Sequence, residues 1–205
     1  WSVYQSKSYE FPVLCVGNLS VGGTGKTPMI EYLITLLDPK YKLATLSRGY
    51  GRKSKGFLIA APNLTSKDIG DEPLQILNKF KNITVAVDAN RQQGLKLLKE
   101  YKPSLEVVLL DDAFQHRKVT AGFNILLTAY DQLYCDDIVL PTGNLREPKS
   151  GAKRAQVIVV TKCPDHLSDL EKTAITKRLN LEPNQVVFFS SIQYSQKLVS
   201  SISSR

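Results

Sequence analysis

The sequence contains little cysteine, and its cysteines are scattered. Three of the 205 residues are cysteine, at positions 15, 135 and 163, and they form neither a C-x-x-C pair nor a spacing typical of metal ligands. An odd and widely spaced set argues against a disulfide framework. We therefore expect Cys15, Cys135 and Cys163 to be reduced thiols, in or near the core of a cytosolic protein.

Long hydrophobic runs are also missing. The aliphatic stretches are only a few residues long, as in Val107–Leu110 and Val157–Val160, whereas a membrane-spanning helix needs about 20 apolar residues. The first residues do not show the charged and then apolar pattern of a secretory signal. Hydrophobic residues make up 42% of the chain and charged residues 22%, which is typical of a soluble globular domain and excludes collagen-like and disordered chains.

Acidic residues are outnumbered by basic ones. The chain has 19 aspartates and glutamates against 27 lysines and arginines, which gives a formal net charge of +8 and an isoelectric point near 9.3. This excess favours an anionic partner, either nucleic acid, a phosphorylated ligand or an anionic membrane surface. The alternative is a soluble protein whose basic charge has no functional role.

Short apolar runs alternate with helical patterns along most of the chain. The runs show little alternation between polar and apolar residues, which is typical of strands buried on both faces of a parallel sheet. Strands are predicted at Phe11–Val16, Leu43–Leu46, Phe57–Ala60, Ile83–Val87, Val107–Leu110, Asn124–Leu127, Val157–Thr161 and Val186–Phe189, and helices at Thr27–Leu37, Pro73–Phe80, Gln92–Tyr101 and Leu167–Leu179.

This order predicts an α/β fold with a doubly wound, mostly parallel sheet and helices on both faces. We expect residues 1–189 to form one domain and residues 190–205 to form a serine-rich tail or linker. Ligands of such folds bind at the carboxyl ends of the strands. The residues that follow each strand are therefore the candidates for a functional site.

A glycine-rich loop follows the first predicted strand. It contains Gly25-Lys26-Thr27 and matches the phosphate-loop pattern G-x-x-x-x-G-K-[ST], except that Ser20 replaces the first glycine. Small residues allow successive amides to surround a phosphate at a helix N-terminus. We expect Lys26 to reach the outer phosphates and the Thr27 hydroxyl to bind Mg²⁺; the alternative is a flexible turn. The predicted nucleotide loop comprises Ser20, Val21, Gly22, Gly23, Thr24, Gly25, Lys26 and Thr27.

Acidic residues occur at two places that suit the same chemistry. Asp111 and Asp112 follow an apolar strand, where a carboxylate holds Mg²⁺ opposite the phosphate loop of nucleotide enzymes. Asp71 and Glu72 stand just before a predicted helix. One of them is a candidate general base and the other a candidate Mg²⁺ ligand. The alternatives are a polar turn in the first case and a favourable helix-dipole interaction in the second.

Several cationic or polar residues follow other strands. Arg48 begins a loop in which four cations alternate with glycines and polar residues, Arg91 follows a predicted strand, and Arg146 lies in a turn-rich segment. Each is a candidate phosphate contact, and a solvated loop is the alternative. His116, next to Gln115, is either a neutral hydrogen-bond donor near the phosphates or a surface residue.

Taken together, six segments resemble a known family, the tetraacyldisaccharide 4'-kinases. The resemblance extends in order from about Phe11 to Thr161, and the usual glycine after the paired aspartates is replaced by Ala113. The matching segments are GNLSVGGTGKTP (17–28), LSRGYGRKSKG (46–56), GDEP (70–73), LLDDAFQHRK (109–118), NILL (124–127) and LPTGNLREP (140–148).

The resemblance implies a phosphate-loop NTPase fold and transfer of the ATP γ-phosphoryl group to the 4'-hydroxyl of a tetraacylated disaccharide 1-phosphate in lipid A biosynthesis. It also implies ATP and Mg²⁺ as cofactors, the lipid disaccharide and an anionic inner-membrane surface as partners, and a location at the cytoplasmic face of the inner membrane. It implies neither nucleic acid nor an obligate protein partner.

The resemblance assigns roles residue by residue. It implies a catalytic set of Lys26, Asp71 as the general base, Asp112 and His116, metal contacts from Thr27, Glu72 and Asp111, and substrate contacts from Arg48, Arg91, Gln115 and Arg146. Because family members are longer, with an anchoring N-terminal helix and a C-terminal lobe, we expect this chain to be a fragment.

Two other interpretations stay open at this stage. The segment Val21–Thr27 is similar to the variant phosphate loop of switch or metallochaperone-type NTPases, although Val21 stands where those proteins have a signature lysine. A nucleic-acid-binding protein would explain the charge, but the sequence shows no interleaved aromatic residues or recognition-helix pattern.

Overall fold

One eight-stranded sheet organises the protein. The computed structural model describes residues 6–193. The strand order is β3-β4-β2-β5-β1-β6-β7-β8, and every neighbouring pair is parallel except β3 with β4. The strands are β1 Val13–Asn18, β2 Leu43–Ser47, β3 Leu58–Ile59, β4 Thr84–Val87, β5 Val107–Asp111, β6 Phe123–Ala129, β7 Val157–Thr161 and β8 Val186–Phe189.

Five α-helices accompany the sheet in the described part of the chain, together with two short 3₁₀ helices at Tyr134–Asp136 and Lys149–Arg154. The eight predicted strands and four predicted helices are confirmed within a few residues. The four-residue helix α2 was not predicted, because it is too short for an apolar period and depends on a capping box between Thr65 and Asp68. The α-helices are α1 Lys26–Leu37, α2 Ser66–Ile69, α3 Asp71–Lys79, α4 Arg91–Tyr101 and α5 Asp169–Leu179.

Two hydrophobic clusters cover the two faces of the sheet. In β5, Val107 and Leu109 belong to the cluster that contains the apolar side chains of α1, while Val108 and Leu110 belong to the cluster shared with α4 and α5. Successive residues of a strand point to opposite faces, so both sets must be apolar. This explains the continuous apolar runs and confirms the predicted doubly wound α/β fold.

The strand order places two chain crossovers at the centre of the sheet. The chain leaves β1 through α1 and returns at β2, and later leaves β5 and returns at β6 on the other side of β1. Val16 of β1 pairs with Asp111 of β5. The loop after β1 and the acidic pair after β5 therefore emerge side by side, at the position where such sheets bind ligands.

Several smaller expectations are also resolved by the structure. Cys15, Cys135 and Cys163 are free thiols, with Cys15 and Cys163 buried. None of the helices within residues 6–193 is both long and apolar enough to cross a membrane. Ser190–Gln193 follow β8 without regular structure, and the rest of the expected tail, residues 194–205, lies outside the described residues.

Two glycines let the loop after β2 lie against the junction of α2 and α3. A Cβ atom built on Gly70 would lie 2.8 Å from the Tyr50 carbonyl oxygen, and one built on Gly49 would lie 2.7 Å from the Ile69 carbonyl oxygen. Both glycines have positive φ, 68° for Gly49 and 92° for Gly70. This contact brings the basic loop close to Asp71, the first residue of α3.

The variant Gly70→Ala is expected to lower the free energy of unfolding by about 2–4 kcal/mol, because it adds a steric overlap to a backbone conformation reserved for glycine. The matched control is Gly51→Ala, where φ is also positive but a Cβ atom would meet nothing within 4 Å. It should cost only about 1–2 kcal/mol. Urea unfolding with unchanged m-values measures both, and equal losses would contradict the close approach.

Candidate active site at the carboxyl end of the sheet

A cavity of about 680 Å³ opens at the carboxyl ends of the central strands. It collects predicted site residues that come from five separate segments of the sequence. Its lining consists of Ser20, Val21, Gly22, Lys26, Ser47, Arg48, Gly49, Tyr50, Asp71, Glu72, Asp111, Asp112 and Arg146. The phosphate loop and both acidic pairs therefore face the same space, as the sequence predicted for the carboxyl end of a parallel sheet.

The glycine-rich loop leaves its amides available to an anion. Gly22 has a φ of 104° and Gly25, the N-cap of α1, a φ of 82°, and no side chain caps the helix. Within residues 6–193, the amides of Gly22–Gly25 donate to no protein acceptor. Free amides at the start of a twelve-residue helix form a favourable environment for phosphate.

The turn-rich segment before Arg146 supports this loop from the side. Ser20 and Leu145 form an antiparallel bridge, the Val21 amide donates to the Asn144 carbonyl oxygen at 2.8 Å, and the Arg146 amide donates to the Leu19 carbonyl oxygen at 2.7 Å. The sequence did not predict this pairing, because the two segments are far apart in the chain and neither has the pattern of a strand.

Lys26, Asp112 and Arg146 form an ionic cluster above the end of β1. The Lys26 ammonium lies 3.6 Å from Asp112 Oδ1 and donates to Asn18 Oδ1 at 3.4 Å. The Arg146 guanidinium donates to both Asp112 oxygens, at 3.2 and 2.9 Å, and also to Asn18 Oδ1. Burial acts to raise the pKa of Asp112, but the Arg146 hydrogen bonds and the Lys26 charge outweigh it, and this pKa lies below its ordinary value.

Asp111 has the opposite environment. It is 3% exposed, and its Oδ1 atom has no hydrogen-bond partner among the described residues. Burial, followed by the neighbouring charges of Glu72 and Asp112, raises the pKa of Asp111 from 3.8 to about 7. The backbone turns between the two aspartates, since Asp112 has a φ of 47°. The backbone at Ala113 is not in the left-handed region. An alanine at this position, where the resemblance led us to expect glycine, therefore adds no strain.

The second acidic pair lies at the start of α3. The Thr27 hydroxyl donates to Glu72 Oε1 at 3.1 Å, which links the first turn of α1 to the first turn of α3. The neighbouring Asp71 carboxylate is exposed and borders the cavity. An exposed carboxylate at this position can accept a proton from a group bound in the cavity.

The oxygen atoms of this site suit a hard cation. Asp111 presents a buried oxygen without a partner, and Thr27 and Glu72 add a hydroxyl and a carboxylate. Within the described ranges, no group of three or more His, Cys, Asp or Glu side chains is assembled as a metal cluster. Mg²⁺ usually binds one or two carboxylates together with substrate phosphates, and the residues present fit that ion.

Three of the predicted residues lie beside this cavity rather than in it. Arg91, Gln115 and His116 line a neighbouring recess of about 500 Å³, whose other lining residues are Ala89, Asn90, Gln92, Arg117 and Lys118. Burial, followed by the charges of Arg91 and Arg48, lowers the pKa of His116. The recess therefore has a positive electrostatic environment.

Arg91 is almost completely buried, with 1% of its surface exposed. Its guanidinium donates to the carbonyl oxygens of Asp88 at 2.6 Å and Asp111 at 3.4 Å, so it supports the ends of β4 and β5. Burial lowers the pKa of Arg91 to about 10, against the opposing effect of Asp111. The Arg91 guanidinium therefore lies beneath the surface of the recess, where it is hydrogen-bonded to carbonyl oxygens at the ends of β4 and β5.

Two residues of the site were missed by the sequence reasoning. Asn18, the last residue of β1, is fully buried and accepts hydrogen bonds from Lys26, Arg146 and Gln115. Glu147 is 7% exposed and is surrounded by hydrogen-bond donors. The only available signal was their position, directly before the phosphate loop and directly after Arg146.

Comparison with known proteins gives a consistent result. The sequence model of the family Tetraacyldisaccharide-1-P 4'-kinase matches residues 1–202. The tetraacyldisaccharide 4'-kinase of Flavobacterium johnsoniae is 56% identical over 196 residues, which cover 96% of this chain and 58% of the relative. That of Bacteroides thetaiotaomicron is 55% identical over 195 residues, covering 95% of this chain and 51% of the relative. The chain thus spans about half the length of the curated relatives it matches.

Solved structures agree with this comparison. LpxK from Aquifex aeolicus, described as an "apo" form in complex with ATP, has a TM-score of 0.72 and 36% identity, covering 90% of this chain and 55% of its own. McdA(D38A) from Cyanothece, in its ATP complex, has a TM-score of 0.50 and 14% identity, covering 88% and 82%. The second similarity concerns the fold alone and agrees with the predicted α/β fold.

The raised pKa of Asp111 predicts a pH dependence of stability in the absence of divalent ions. Between its ordinary value of 3.8 and about 7, the folded chain retains a proton that the unfolded chain releases, so stability falls as pH rises and levels off above that range. The loss is about 1.4 kcal/mol for each pKa unit. Urea unfolding at pH 5, 6, 7 and 8 should show Asp111→Asn gaining stability relative to the parent as pH increases.

Asp131→Asn, at an exposed aspartate, is the control for loss of a carboxylate. A constant difference between Asp111→Asn and the parent across this pH range would contradict the assigned environment of Asp111.

Proposed function

The chain belongs to the Tetraacyldisaccharide-1-P 4'-kinase family, and from that membership we propose that it carries the site for ATP-dependent phosphorylation of a tetraacyldisaccharide 1-phosphate at its 4'-hydroxyl, a step of lipid A biosynthesis. The observation that supports this most is the shared cavity of Lys26, Asp71, Glu72, Asp111 and Asp112. Phosphoryl transfer depends mainly on positioning and charge neutralisation, and these residues supply both at one place.

On the nucleotide side, the free amides of Gly22–Gly25 and the Lys26 ammonium bind the β- and γ-phosphates. Thr27, Glu72 and Asp111 would hold Mg²⁺, which when bound neutralises charge on the transferred phosphoryl group. Asp112 keeps Lys26 and Arg146 at the mouth of the loop through its ion pairs. Arg146 is thereby available to a phosphate oxygen.

On the acceptor side, Asp71 is the general base. Its carboxylate is exposed to the cavity and takes the proton of the attacking sugar hydroxyl as the new oxygen–phosphorus bond forms and the bond between the γ-phosphorus and the leaving ADP oxygen breaks. Glu72 beside it is engaged by Thr27, so the two neighbouring carboxylates have separate tasks. A general base of this kind contributes about 10²–10⁴-fold to turnover.

The recess formed by Gln115, His116 and the surrounding basic residues binds the 1-phosphate of the acceptor. It adjoins the cavity through Arg91, whose guanidinium contacts the Asp111 carbonyl oxygen, and Arg48 adds a positive charge near His116. The net charge of +8 favours contact with an anionic membrane surface. We place the protein at the cytoplasmic face of the inner membrane, where its lipid acceptor is available.

Lys26→Ala is expected to reduce ATP affinity and to abolish nucleotide turnover while leaving the fold intact, because the side chain faces the cavity and Arg146 still pairs with Asp112 in its absence. Calorimetric titration with Mg²⁺-ATP measures the affinity, transfer or release of label from γ-labelled ATP measures the turnover, and a circular-dichroism melt measures the stability of the fold. Lys172→Ala, at a half-exposed lysine of α5 that lies away from the cavity, is the control. Unchanged ATP turnover in Lys26→Ala would refute the nucleotide assignment.

Asp71→Asn is expected to lower the rate of phosphoryl transfer by about 10²–10⁴-fold, with little change in ATP affinity, because a carboxamide cannot accept the hydroxyl proton. The assay follows label from γ-labelled ATP onto the lipid disaccharide 1-phosphate. Asp169→Asn is a matched control, since Asp169 is also the first residue of a helix but lies away from the cavity.

The same assay distinguishes the proposal from a nucleotide-driven switch. Label on the lipid supports the kinase, whereas phosphate released at the same rate without lipid supports the switch. A loss in Asp71→Asn that is confined to ATP affinity would argue against the role of Asp71 as general base.

A further inference from the structure

Glu147 lies behind the site and has no role in the chemistry assigned above. Its side chain is 8% exposed, yet both carboxylate oxygens have partners. Oε1 accepts hydrogen bonds from Gln115 Nε2 at 3.1 Å and Arg154 Nη2 at 2.7 Å, and Oε2 accepts one from Arg117 Nη2 at 3.0 Å. A buried carboxylate with this many charged donors is a costly arrangement unless all of its partners stay in place.

The donors that meet Glu147 come from different parts of the fold. Gln115 and Arg117 belong to the loop after β5, and Arg154 ends the second 3₁₀ helix. Burial by itself raises the pKa of Glu147, but the hydrogen bonds from Arg154 and Arg117 outweigh it and hold this pKa below its ordinary value. The carboxylate is therefore charged at neutral pH and joins the two segments.

The connection continues from Glu147 to the base of the phosphate loop. Gln115 Nε2, held by Glu147, also donates to the Asn18 carbonyl oxygen at 2.8 Å. The same oxygen accepts a hydrogen bond from Arg146 Nη2 at 3.3 Å. Asn18 is the last residue of β1, so the direction in which the chain enters the phosphate loop depends on these two donors.

Arg154 fixes the other side of the same support. Its guanidinium donates to the Phe114 carbonyl oxygen at 3.2 Å and lies 4.5 Å from the centre of the Phe114 ring. Phe114 in turn packs closely on Gly17 of β1, where an added Cβ atom would lie 2.6 Å from Phe114 Cβ. A displacement of Arg154 would therefore shift Phe114 and, through Phe114, the strand β1 that leads into the phosphate loop.

Glu147 is also adjacent in sequence to Arg146, which contacts Asp112 on the cavity side. The Arg146 side chain lines the cavity, so anchoring the neighbouring Glu147 inside the protein restrains the backbone from which Arg146 reaches Asp112. The backbone of this segment is the one that pairs with Leu19–Val21. One buried carboxylate thus constrains Arg146, Gln115 and the start of the phosphate loop together.

We propose that Glu147 is the positioning residue of the nucleotide site: it contacts neither ATP nor the acceptor, and it sets the geometry of the phosphate loop and of Arg146 through Gln115, Arg117 and Arg154. This inference rests on the proposed nucleotide role of the loop.

The test uses Glu147→Gln in the full chain, because the carboxamide keeps the size of the side chain but places an amino group against arginine donors. We expect the dissociation constant for Mg²⁺-ATP to rise about tenfold, the change that corresponds to about 1.4 kcal/mol. Hydrogen exchange of the Val21 and Arg146 amides, which hold the loop to its support, should accelerate by about tenfold or more, with exchange in α5 unchanged.

The matched control is Glu182→Gln, which removes the 2.7 Å ion pair with Lys153 on the same 3₁₀ helix but has no connection to the loop. It should change neither ATP affinity nor the two amides. Arg117→Gln provides a milder variant, because the Arg117 side chain is 70% exposed and its loss removes a single contact to Glu147. It should shift ATP affinity in the same direction by about two- to threefold.

Each outcome decides the matter. If Glu147→Gln lowers only the melting temperature, with ATP affinity and the Val21 and Arg146 amides unchanged, its role is structural and the proposal is wrong. If Glu147→Gln does not fold, an Arg117→Gln protein identical to the parent in both measurements overturns the proposal. If the parent chain itself does not bind Mg²⁺-ATP, the proposed function fails, and the amide measurement still tests the support of the loop independently.

Discussion

The site depends on the hydrogen-bonded contact between β1 and β5. Because these strands are parallel neighbours with Val16 beside Asp111, the helix start that attracts phosphate and the carboxylates that follow β5 emerge at the same edge of the sheet. Neither feature would have a function alone. In the proposed function, phosphates bound by the amides of Gly22–Gly25 would need a counter-ion, and buried Asp111 would need a cation to compensate for its burial. The sheet brings the two requirements together.

Two consecutive aspartates illustrate how local environment separates roles within this site. Asp111 is enclosed by the strand ends and has its pKa raised to about 7, whereas Asp112 turns outward through a left-handed backbone and has its pKa lowered, chiefly by Arg146 and Lys26 against the effect of burial. The left-handed turn at Asp112 and the different neighbours of the two carboxylates therefore give adjacent identical side chains different electrostatic properties. Asp112 forms ion pairs with the Lys26 and Arg146 side chains, and Asp111 has one oxygen without a partner among the described residues.

The sequence predicted the fold well because its signals are local. Strand runs such as Val107–Leu110 are apolar for a reason that acts residue by residue, namely burial on both faces, and the loop around Lys26 carries its own chemical pattern. By contrast, the contact between Asn18 and Arg146 joins residues 128 positions apart, and no local pattern marks either residue as its partner. Arg91 had a recognisable position after a strand, but only the structure shows that its charge is directed at carbonyl oxygens below the surface.

The support of the phosphate loop follows from the same physics that makes the loop useful. A loop that binds phosphate through its amides cannot also use those amides to hold itself in shape, since each amide has one hydrogen to donate. Here the amides of Gly22–Gly25 have no protein acceptor within residues 6–193, so the loop must be fixed before it, by Leu19–Val21 and Asn18. That is where Asn144–Arg146 and Gln115 make their contacts. A buried, fully paired carboxylate behind them is rigid enough to maintain this geometry, which gives Glu147 a physical reason to be charged in the interior.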